Sequence, residues 1–167
     1  AIHPKLNICD IVIGKNLYQH DLNAFPFYEK FEIPILRKLF LETTDSSKLL
    51  MATNLFLETY HEFIAIEDSQ LFDIQLPKVV YGDIASGDQF ISSLKKIKKL
   101  NKKLPTAVCV EMEGAAVAQV CFEYKVPFFI IRVISDKAND NATIDFPKFA
   151  NSIASKYALG ILKNYFS

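Results

Sequence analysis

Apolar and polar positions follow two different periodic patterns along this chain, one typical of strands and one typical of helices. Short apolar or β-branched runs bounded by turn residues predict strands, which we expect at Cys9–Gly14, Val79–Ala85, Ala107–Val110 and Val126–Ile134. The last run is nearly continuously apolar, with Arg132 as its one charged residue, which is typical of a strand covered on both faces. Apolar residues at steps of three and four predict helices, which we expect at Thr43–Phe63, Ile91–Lys103, Glu113–Tyr124 and from Asp145 onward.

This alternation of strands and helices predicts a single α/β domain over residues 1–167. We expect three layers (α/β/α), with a central mixed sheet between two layers of helices. Asp45 or Ser46 is the expected cap of the first helix, and Asp145 is the expected cap of the last, which has Pro147 in its first turn. The last helix carries an apolar stripe at Phe146, Phe149, Ile153, Tyr157, Ile161 and Tyr165.

One segment, Tyr18–Pro34, shows neither the strand pattern nor the helix pattern. It is rich in aromatic residues, acids and prolines. We interpret it as a long functional loop or as a segment that contacts a partner.

Composition excludes several classes of protein. The 167 residues are 50% hydrophobic, and 19 basic residues balance 19 acidic ones. Neutrality argues against a dedicated nucleic-acid or membrane-surface protein, and no apolar run approaches the roughly 18 residues of a membrane span. Ile91–Lys103 carries six lysines. We expect a solvated helix face there, and a phosphate-contacting surface is the alternative.

Cysteine and histidine give no sign of a metal or a disulfide framework. Three cysteines without C-x-x-C spacing and three scattered histidines lack metal-ligand patterns. We therefore expect no metal and a reducing, cytoplasmic setting.

Candidate chemistry lies at three strand ends, which read Ser86-Gly87-Asp88, Glu111-Met112-Glu113 and Ser135-Asp136. If the strands are neighbours, these groups converge on one rim of the sheet. Apolar residues follow or interrupt them, which predicts a slot for a flat, polar-edged ligand such as a nucleobase with its sugar. An exposed carboxylate can accept two hydrogen bonds from a vicinal diol, and a buried one can act as a general acid.

Each residue taken alone also has a structural explanation. Glu113 suits the first turn of a helix, Asp136 suits a helix cap, and Arg132 can pair with Glu111 to neutralise a buried charge. The functional interpretation depends on their joint occurrence. A dinucleotide-binding G-x-G-x-x-G and a hydrolase G-x-S-x-G are both absent.

Five motifs resemble one known family, the 5′-methylthioadenosine/S-adenosylhomocysteine nucleosidases of the nucleoside phosphorylase superfamily. The motifs are V-E-M-E-G-A-A-V-A at Val110–Ala118, R-x-x-S-D at Arg132–Asp136, A-S-G-D-Q-F at Ala85–Phe90, Q-H-D-L-N-A-F at Gln19–Phe25 and D-F-P-K-F at Asp145–Phe149. The resemblance implies cleavage of the N-glycosidic bond of methylthioadenosine and S-adenosylhomocysteine to adenine and a thioribose, as in methionine salvage. It implies no cofactor.

The resemblance also implies roles for individual residues. Asp136 would be the general acid that protonates the purine, and Ser135 would orient it. Glu113 would bind the ribose hydroxyls, with Arg132 assisting. The remaining substrate contacts implied are Phe90 stacking on adenine, the Ile91 backbone at its edge, Met112 against the sugar and Phe146 at the alkylthio group. Glu111 is also expected among the substrate-binding residues.

The family works as a dimer, so the resemblance implies a homodimer in which Phe25 and Pro34 enter the neighbouring subunit's pocket. In the family, a further segment precedes the point where this chain begins and carries the glutamate that activates water. We therefore expect the chain to be the C-terminal part of such a protein.

Three alternatives remain open from the sequence. They are a purine nucleoside phosphorylase that uses phosphate instead of water, a nucleosidase acting on an aminodeoxyfutalosine, and a non-catalytic nucleoside-binding module.

Overall fold

A computed structural model describes residues 1–74, 76–137 and 146–167 of the chain. The strands are β1 (Ile11–Gln19), β2 (Leu41–Glu42), β3 (Val79–Ser86), β4 (Ala107–Glu111) and β5 (Ile131–Val133). The helices are α1 (Ser47–Thr59), α2 (Ile66–Leu71), α3 (Leu94–Lys103), α4 (Gly114–Glu123), α5 (Phe146–Phe149) and α6 (Ser155–Phe166). A short 3₁₀ turn, Tyr60–Glu62, follows α1, and a π-helical turn, Ala150–Ala154, joins α5 to α6.

The five strands form one mixed sheet around β1. β3 runs parallel to β1 and β4 runs parallel to β3, whereas β2 and β5 are antiparallel to β1 on its other edge. The predicted mixed sheet is therefore confirmed.

Alternate residues of β1 point to opposite layers of helices, as the period of two in a strand requires. Ile11 and Ile13 pack in one core with residues of α1 and α6, and Val12 packs in a second core with residues of α4. A third core joins α3 to β3 and β4. The predicted arrangement of helices on both faces of the sheet is confirmed.

Two strand predictions need correction. β1 continues to Gln19 instead of ending at Gly14. Gly14 is not a turn residue, because a Cβ there would lie 2.9 Å from Ile84 Cδ1 and 3.3 Å from the Ile130 carbonyl oxygen. The glycine permits a close approach of neighbouring strands inside the sheet.

The strand predicted at Val126–Ile134 is also wrong in extent. β5 covers only Ile131–Val133, and these three residues are partly exposed rather than covered on both faces. Before it, the Phe128 carbonyl accepts hydrogen bonds from the backbone N–H (2.9 Å) and the side chain (2.7 Å) of Thr44 instead of from a strand. Residues 126–130 of the apolar run thus belong to no strand, and only the three residues of β5 pair as a strand with the sheet.

Helix boundaries differ from the predictions by a few residues. α1 begins at Ser47, and Asp45 Oδ1 accepts a hydrogen bond of 2.9 Å from the Ser47 N–H, which satisfies one free donor at the helix start. The cap predicted at Asp145 lies outside the described residues. Of the helices described, none is long and apolar enough to cross a membrane.

Candidate active site

A cavity of about 650 Å³ lies against β4, β5 and the last helix. It contains nine of the eleven residues predicted for the site, namely Phe90, Ile91, Glu111, Met112, Glu113, Arg132, Ser135, Asp136 and Phe146. β1 and β3 separate β4 from β5 in the sheet, yet Arg132 on β5 donates a hydrogen bond to Glu111 on β4. The sheet therefore curls, so that both of these strands face one cavity.

Glu111 is the most heavily bonded side chain of the site. Its carboxylate accepts hydrogen bonds from Ser86 Oγ, from Arg132 Nε at 3.0 Å and from a second Arg132 nitrogen. It also accepts bonds from the backbone N–H groups of Glu113 at 3.1 Å and Gly114 at 2.8 Å. The side chain is 11% exposed. Donors of the protein thus occupy both oxygens, and Glu111 fixes the junction between β4 and α4.

The pKa of Glu111 reflects two opposing effects. Burial penalises the charged carboxylate and raises its pKa, but the hydrogen bonds from Ser86 and Arg132 and the charge of Arg132 outweigh burial and lower it. Glu111 is therefore ionised at neutral pH, and its negative charge balances Arg132 inside the site.

Glu113 has the opposite environment only two residues further on. It occupies the cap position of α4, but its side chain makes no capping hydrogen bond. The side chain is 71% exposed, and Arg132 lies 3.5 Å from its Oε2. The helix does not use this carboxylate, so it is available to hydroxyl groups of a ligand.

Ser135 and Asp136 follow β5 and border the same cavity. Ser135 Oγ donates a hydrogen bond of 2.6 Å to Asp136 Oδ2. Both residues are partly buried. A hydroxyl in this position fixes the rotation of the carboxyl group, which is what a directed proton transfer requires.

Apolar side chains form the walls between these polar groups. Phe90, Met112 and Phe146 are 51%, 44% and 54% exposed, and all three border the cavity. Ile91 is buried, at 8% exposed, beside Phe90. The arrangement leaves room for a planar ring at Phe90 and for an apolar group at Phe146.

Phe25 and Pro34 do not border this cavity. Phe25 is 77% exposed and lines a separate open depression of about 520 Å³, together with Tyr28, Glu32 and Arg37 among others. Arg37 there pairs with Glu32 at 3.1 Å. Within one chain the structure does not bring Phe25 or Pro34 to the other predicted site residues.

Sequence reasoning assigned no role to several residues of the site. The sequence pattern indicates Ser86 only as a polar residue at a strand end, although its hydroxyl contacts Glu111 and accepts a 2.8 Å hydrogen bond from the Ala115 N–H. Ala150 and Ala154, which border the cavity from the π-helical turn, carried no signal at all. Cys109 also borders it, and burial raises the pKa of its thiol to about 12, so the thiol stays protonated.

No metal-binding arrangement occurs in the parts of the chain that the structure describes, since they contain no group of three or more His, Cys, Asp or Glu side chains suited to hold an ion.

Comparisons with known proteins agree with this geometry. Residues 1–167 match the family model of the phosphorylase superfamily. A 5′-methylthioadenosine/S-adenosylhomocysteine nucleosidase of Staphylococcus epidermidis is 38% identical over 155 residues, which are 92% of this chain and 60% of that protein. The chain thus spans about three fifths of the length of the curated relatives it matches.

Solved structures show the same likeness. The nucleosidase of Neisseria meningitidis in complex with methylthio-immucillin-A is 27% identical, with a TM-score of 0.76 over 98% of this chain and 64% of that one. A futalosine hydrolase of Helicobacter pylori is 30% identical, with a TM-score of 0.75 over 99% of this chain and 63% of that one.

Proposed function

Because the chain belongs to the phosphorylase superfamily, we propose that the protein hydrolyses the N-glycosidic bond of 5′-methylthioadenosine and S-adenosylhomocysteine, releasing adenine and the thioribose. The observation that supports this most is one cavity holding Asp136 with its Ser135 partner, the exposed Glu113 beside Arg132, and apolar walls. The relative from S. epidermidis, named as a nucleosidase for these two compounds, also supports it.

The proposed chemistry assigns one task to each side of the cavity. Glu113 binds the ribose hydroxyls, and Arg132, held by Glu111, fixes its position. Phe90 stacks on adenine, the Ile91 backbone meets the edge of the base, and Met112 lies against the sugar. Phe146 covers the 5′-alkylthio group, which favours an apolar substituent over a hydroxyl.

Bond cleavage needs a proton on the leaving purine, because adenine leaves poorly as an anion. Asp136 donates that proton as the bond between the base and C1′ breaks and the ribose becomes oxocarbenium-like. Water then adds to C1′ and releases a proton to solvent, from which Asp136 regains the proton that it gave to the purine. Glu111 stays ionised throughout and holds Ser86, Arg132 and the start of α4 in place, so we assign it to positioning.

We also propose that the protein is a cytoplasmic homodimer acting in methionine salvage, with Phe25 and Pro34 entering the partner's cavity. The exposure of Phe25 and Phe27, at 77% and 82%, supports an interface at this segment.

The test is adenine release from methylthioadenosine by the full-length protein as encoded and by its Asp136→Asn variant. Asparagine keeps the shape of the residue but cannot transfer a proton, so we expect kcat to fall by about 10²- to 10⁴-fold. Asp45→Asn is the control, because Asp45 is exposed, lies just before α1 and does not border the cavity. Near-normal release by the Asp136 variant would remove this residue from the mechanism.

A second candidate is a futalosine-type nucleosidase, which the 30% identity to the H. pylori futalosine hydrolase favours. Both substrate classes place a purine and a ribose in the cavity and differ at the 5′ position. Comparing kcat/KM for methylthioadenosine and for an aminodeoxyfutalosine decides between them. Assaying with and without phosphate tests the phosphorylase alternative, because only a phosphorylase would form a ribose 1-phosphate. Binding without turnover would support a non-catalytic module.

A further inference from the structure

The segment that follows β1 is bonded to the turn that follows β3. Gln19 and Ser86 form the last residue pair between these strands. Beyond it, the His20 N–H donates a 2.9 Å hydrogen bond to the Ser86 carbonyl. Asp21 Oδ2 then accepts a 2.7 Å hydrogen bond from the Asp88 N–H. Asp21 thus holds the backbone of the turn with a charged acceptor, which makes a stronger bond than a neutral one.

Gly87 shows how closely the turn approaches this segment. A Cβ at Gly87 would lie 2.6 Å from His20 Nε2 and 2.7 Å from Asp21 Oδ2. His20 is buried, at 8% exposed. The turn therefore lies in direct contact with His20 and Asp21, and no larger residue fits between them without displacement.

This contact lies just before the wall of the cavity that carries Phe90 and Ile91. Residues 89–92 belong to no helix or strand. Among the described residues, the next backbone hydrogen bond after that of Asp88 is the one from the Ile97 N–H to the Ser93 carbonyl at 3.0 Å. Within the described part of the chain, the bond to Asp21 is therefore the last one that fixes the backbone before Phe90.

We propose that Asp21 is a positioning residue for base binding, whose carboxylate holds the turn after β3 so that Phe90 and Ile91 keep their place on the cavity wall. The proposal rests on the proposed function for the identity of the base, adenine. Asp21 does not border the cavity. It acts through the Asp88 N–H and touches neither the base nor the sugar.

This arrangement predicts different effects on KM and on kcat. Phe90 and Ile91 contact the base both before and during bond cleavage, so loosening them weakens substrate and transition state alike. Such a loss raises KM and leaves kcat nearly unchanged. A role in general stability would not produce this split.

The experiment compares Asp21→Ala and Asp21→Asn with the unsubstituted full-length protein as encoded. We expect Asp21→Ala to raise the adenine dissociation constant and the KM for methylthioadenosine about 3- to 10-fold, the scale of one net hydrogen bond, with kcat within about twofold. Asp21→Asn keeps an acceptor oxygen and should recover most of the loss. Gly87→Ala should reproduce the alanine result, because its Cβ displaces the turn from Asp21.

Asp45→Ala is the matched control. Asp45 also accepts a backbone hydrogen bond, from the Ser47 N–H at 2.9 Å, but at the start of α1, and it does not border the cavity. It should leave adenine affinity and KM unchanged. Unchanged adenine affinity in both Asp21→Ala and Gly87→Ala would overturn the proposal, as would an equal effect of Asp45→Ala.

Amide hydrogen exchange separates this proposal from the proposed function. Loss of the bond to Asp21 should speed exchange at residues 86–91 whether or not the protein cleaves nucleosides. If exchange is faster in Asp21→Ala but the protein neither binds nor releases adenine, the proposed function is overturned, while the role of Asp21 in holding the turn stands. If exchange is unchanged in Asp21→Ala, Asp21 does not hold the turn, even in an active nucleosidase.

Discussion

Two glutamates separated by a single methionine have opposite environments in this protein. Glu111 is 11% exposed and bonded to side chains from β3 and β5, whereas Glu113 is 71% exposed and contacts Arg132 at 3.5 Å. The difference arises because Glu111 ends a strand, whereas Glu113 occupies the cap position just before α4. Arg132 contacts both glutamates. Glu111 therefore fixes the orientation of the Arg132 guanidinium, which lies beside the exposed carboxylate of Glu113.

Replacing the exposed carboxylate should affect the sugar and not the base. We expect Glu113→Gln to lower kcat/KM for methylthioadenosine by at least about tenfold, because charge-assisted hydrogen bonds are worth roughly 1.5–3 kcal/mol each. Affinity for free adenine should hardly change. Glu58→Gln, an exposed glutamate on α1, is the control. If adenine and the nucleoside weaken equally, Glu113 has a structural role only.

Replacing the buried carboxylate should change how stability depends on pH. The usual pKa of a glutamate is near 4.5, and the pKa of Glu111 in the folded protein lies below it. The ionised carboxylate therefore stabilises the fold fully above that usual value, and this stabilisation is lost as pH falls through the lowered pKa. We expect Glu111→Gln to destabilise the protein by about 1–3 kcal/mol at pH 7, because Arg132 loses its charged partner. Urea unfolding at pH 7, 5 and 3 should show this difference shrink towards the lowest pH. A difference that does not depend on pH would contradict the assignment.

At the scale of elements, the last helix shows what a sequence pattern can and cannot predict. Four residues of its predicted apolar stripe are buried, namely Phe149, Ile153, Tyr157 and Ile161, whereas Phe146 is 54% exposed and Tyr165 is partly buried. The π-helical turn at Ala150–Ala154 was not predicted, because a periodic pattern does not reveal one extra residue in a turn. The turn places two alanines at the cavity wall, where small side chains leave space for a ligand.

The packing of α6 against α1 depends on one glycine. A Cβ at Gly160 would lie 2.4 Å from Phe56 Cδ2, and Phe56 is fully buried between Phe63 and Tyr157. We expect Gly160→Ala to destabilise the protein by about 1–3 kcal/mol, in spite of the better helix propensity of alanine. Urea unfolding measures the change. A double-mutant cycle with Phe56→Leu should give a favourable coupling, because the smaller side chain makes room, and additive effects would exclude this clash as the cause.

The same contrast holds for the sheet and the site. Local runs of apolar residues predicted where β3 and β4 lie. Of the three polar strand ends, those at residues 111–113 and 135–136 border the cavity, whereas residues 86–88 do not. These patterns did not predict the shortness of β5, since its partner Ile11 lies more than a hundred residues away and register is set by that contact. They also did not predict the curl that brings Arg132 to Glu111, because curvature is a property of the assembled sheet. Asp21 was missed because its partner is a backbone N–H, which has no sequence signature.

At the scale of the whole molecule, the segment that carries Phe25 faces outward. Phe25, Phe27 and Ile35 are 77%, 82% and 91% exposed within one chain. Side chains of this size gain roughly 1.5–3 kcal/mol each when an interface covers them. Closed dimers are the commonest soluble oligomers, and in a dimer with a two-fold axis the same segment of both subunits would lie in the interface.

We therefore expect the full-length protein to be a dimer at micromolar concentration and the double variant Phe25→Ser/Phe27→Ser to dissociate at least about a hundredfold more readily. Light scattering after size exclusion measures both. Phe166→Ser is the control, since Phe166 is 79% exposed but lies at the end of α6. A monomer mass for the unsubstituted protein, or equal weakening by the control, would refute an interface at this segment.

The bond between Asp21 and the Asp88 N–H has a thermodynamic consequence for such a dimer. It joins the turn after β3 to the start of the segment that carries Phe25, so a displacement of one is transmitted to the other. If seating that segment in the partner changes the affinity of the turn for adenine by some factor, reciprocity requires adenine to change the dimer's association constant by the same factor per site. Saturating adenine should then shift the monomer–dimer equilibrium, and Asp21→Ala should uncouple the two.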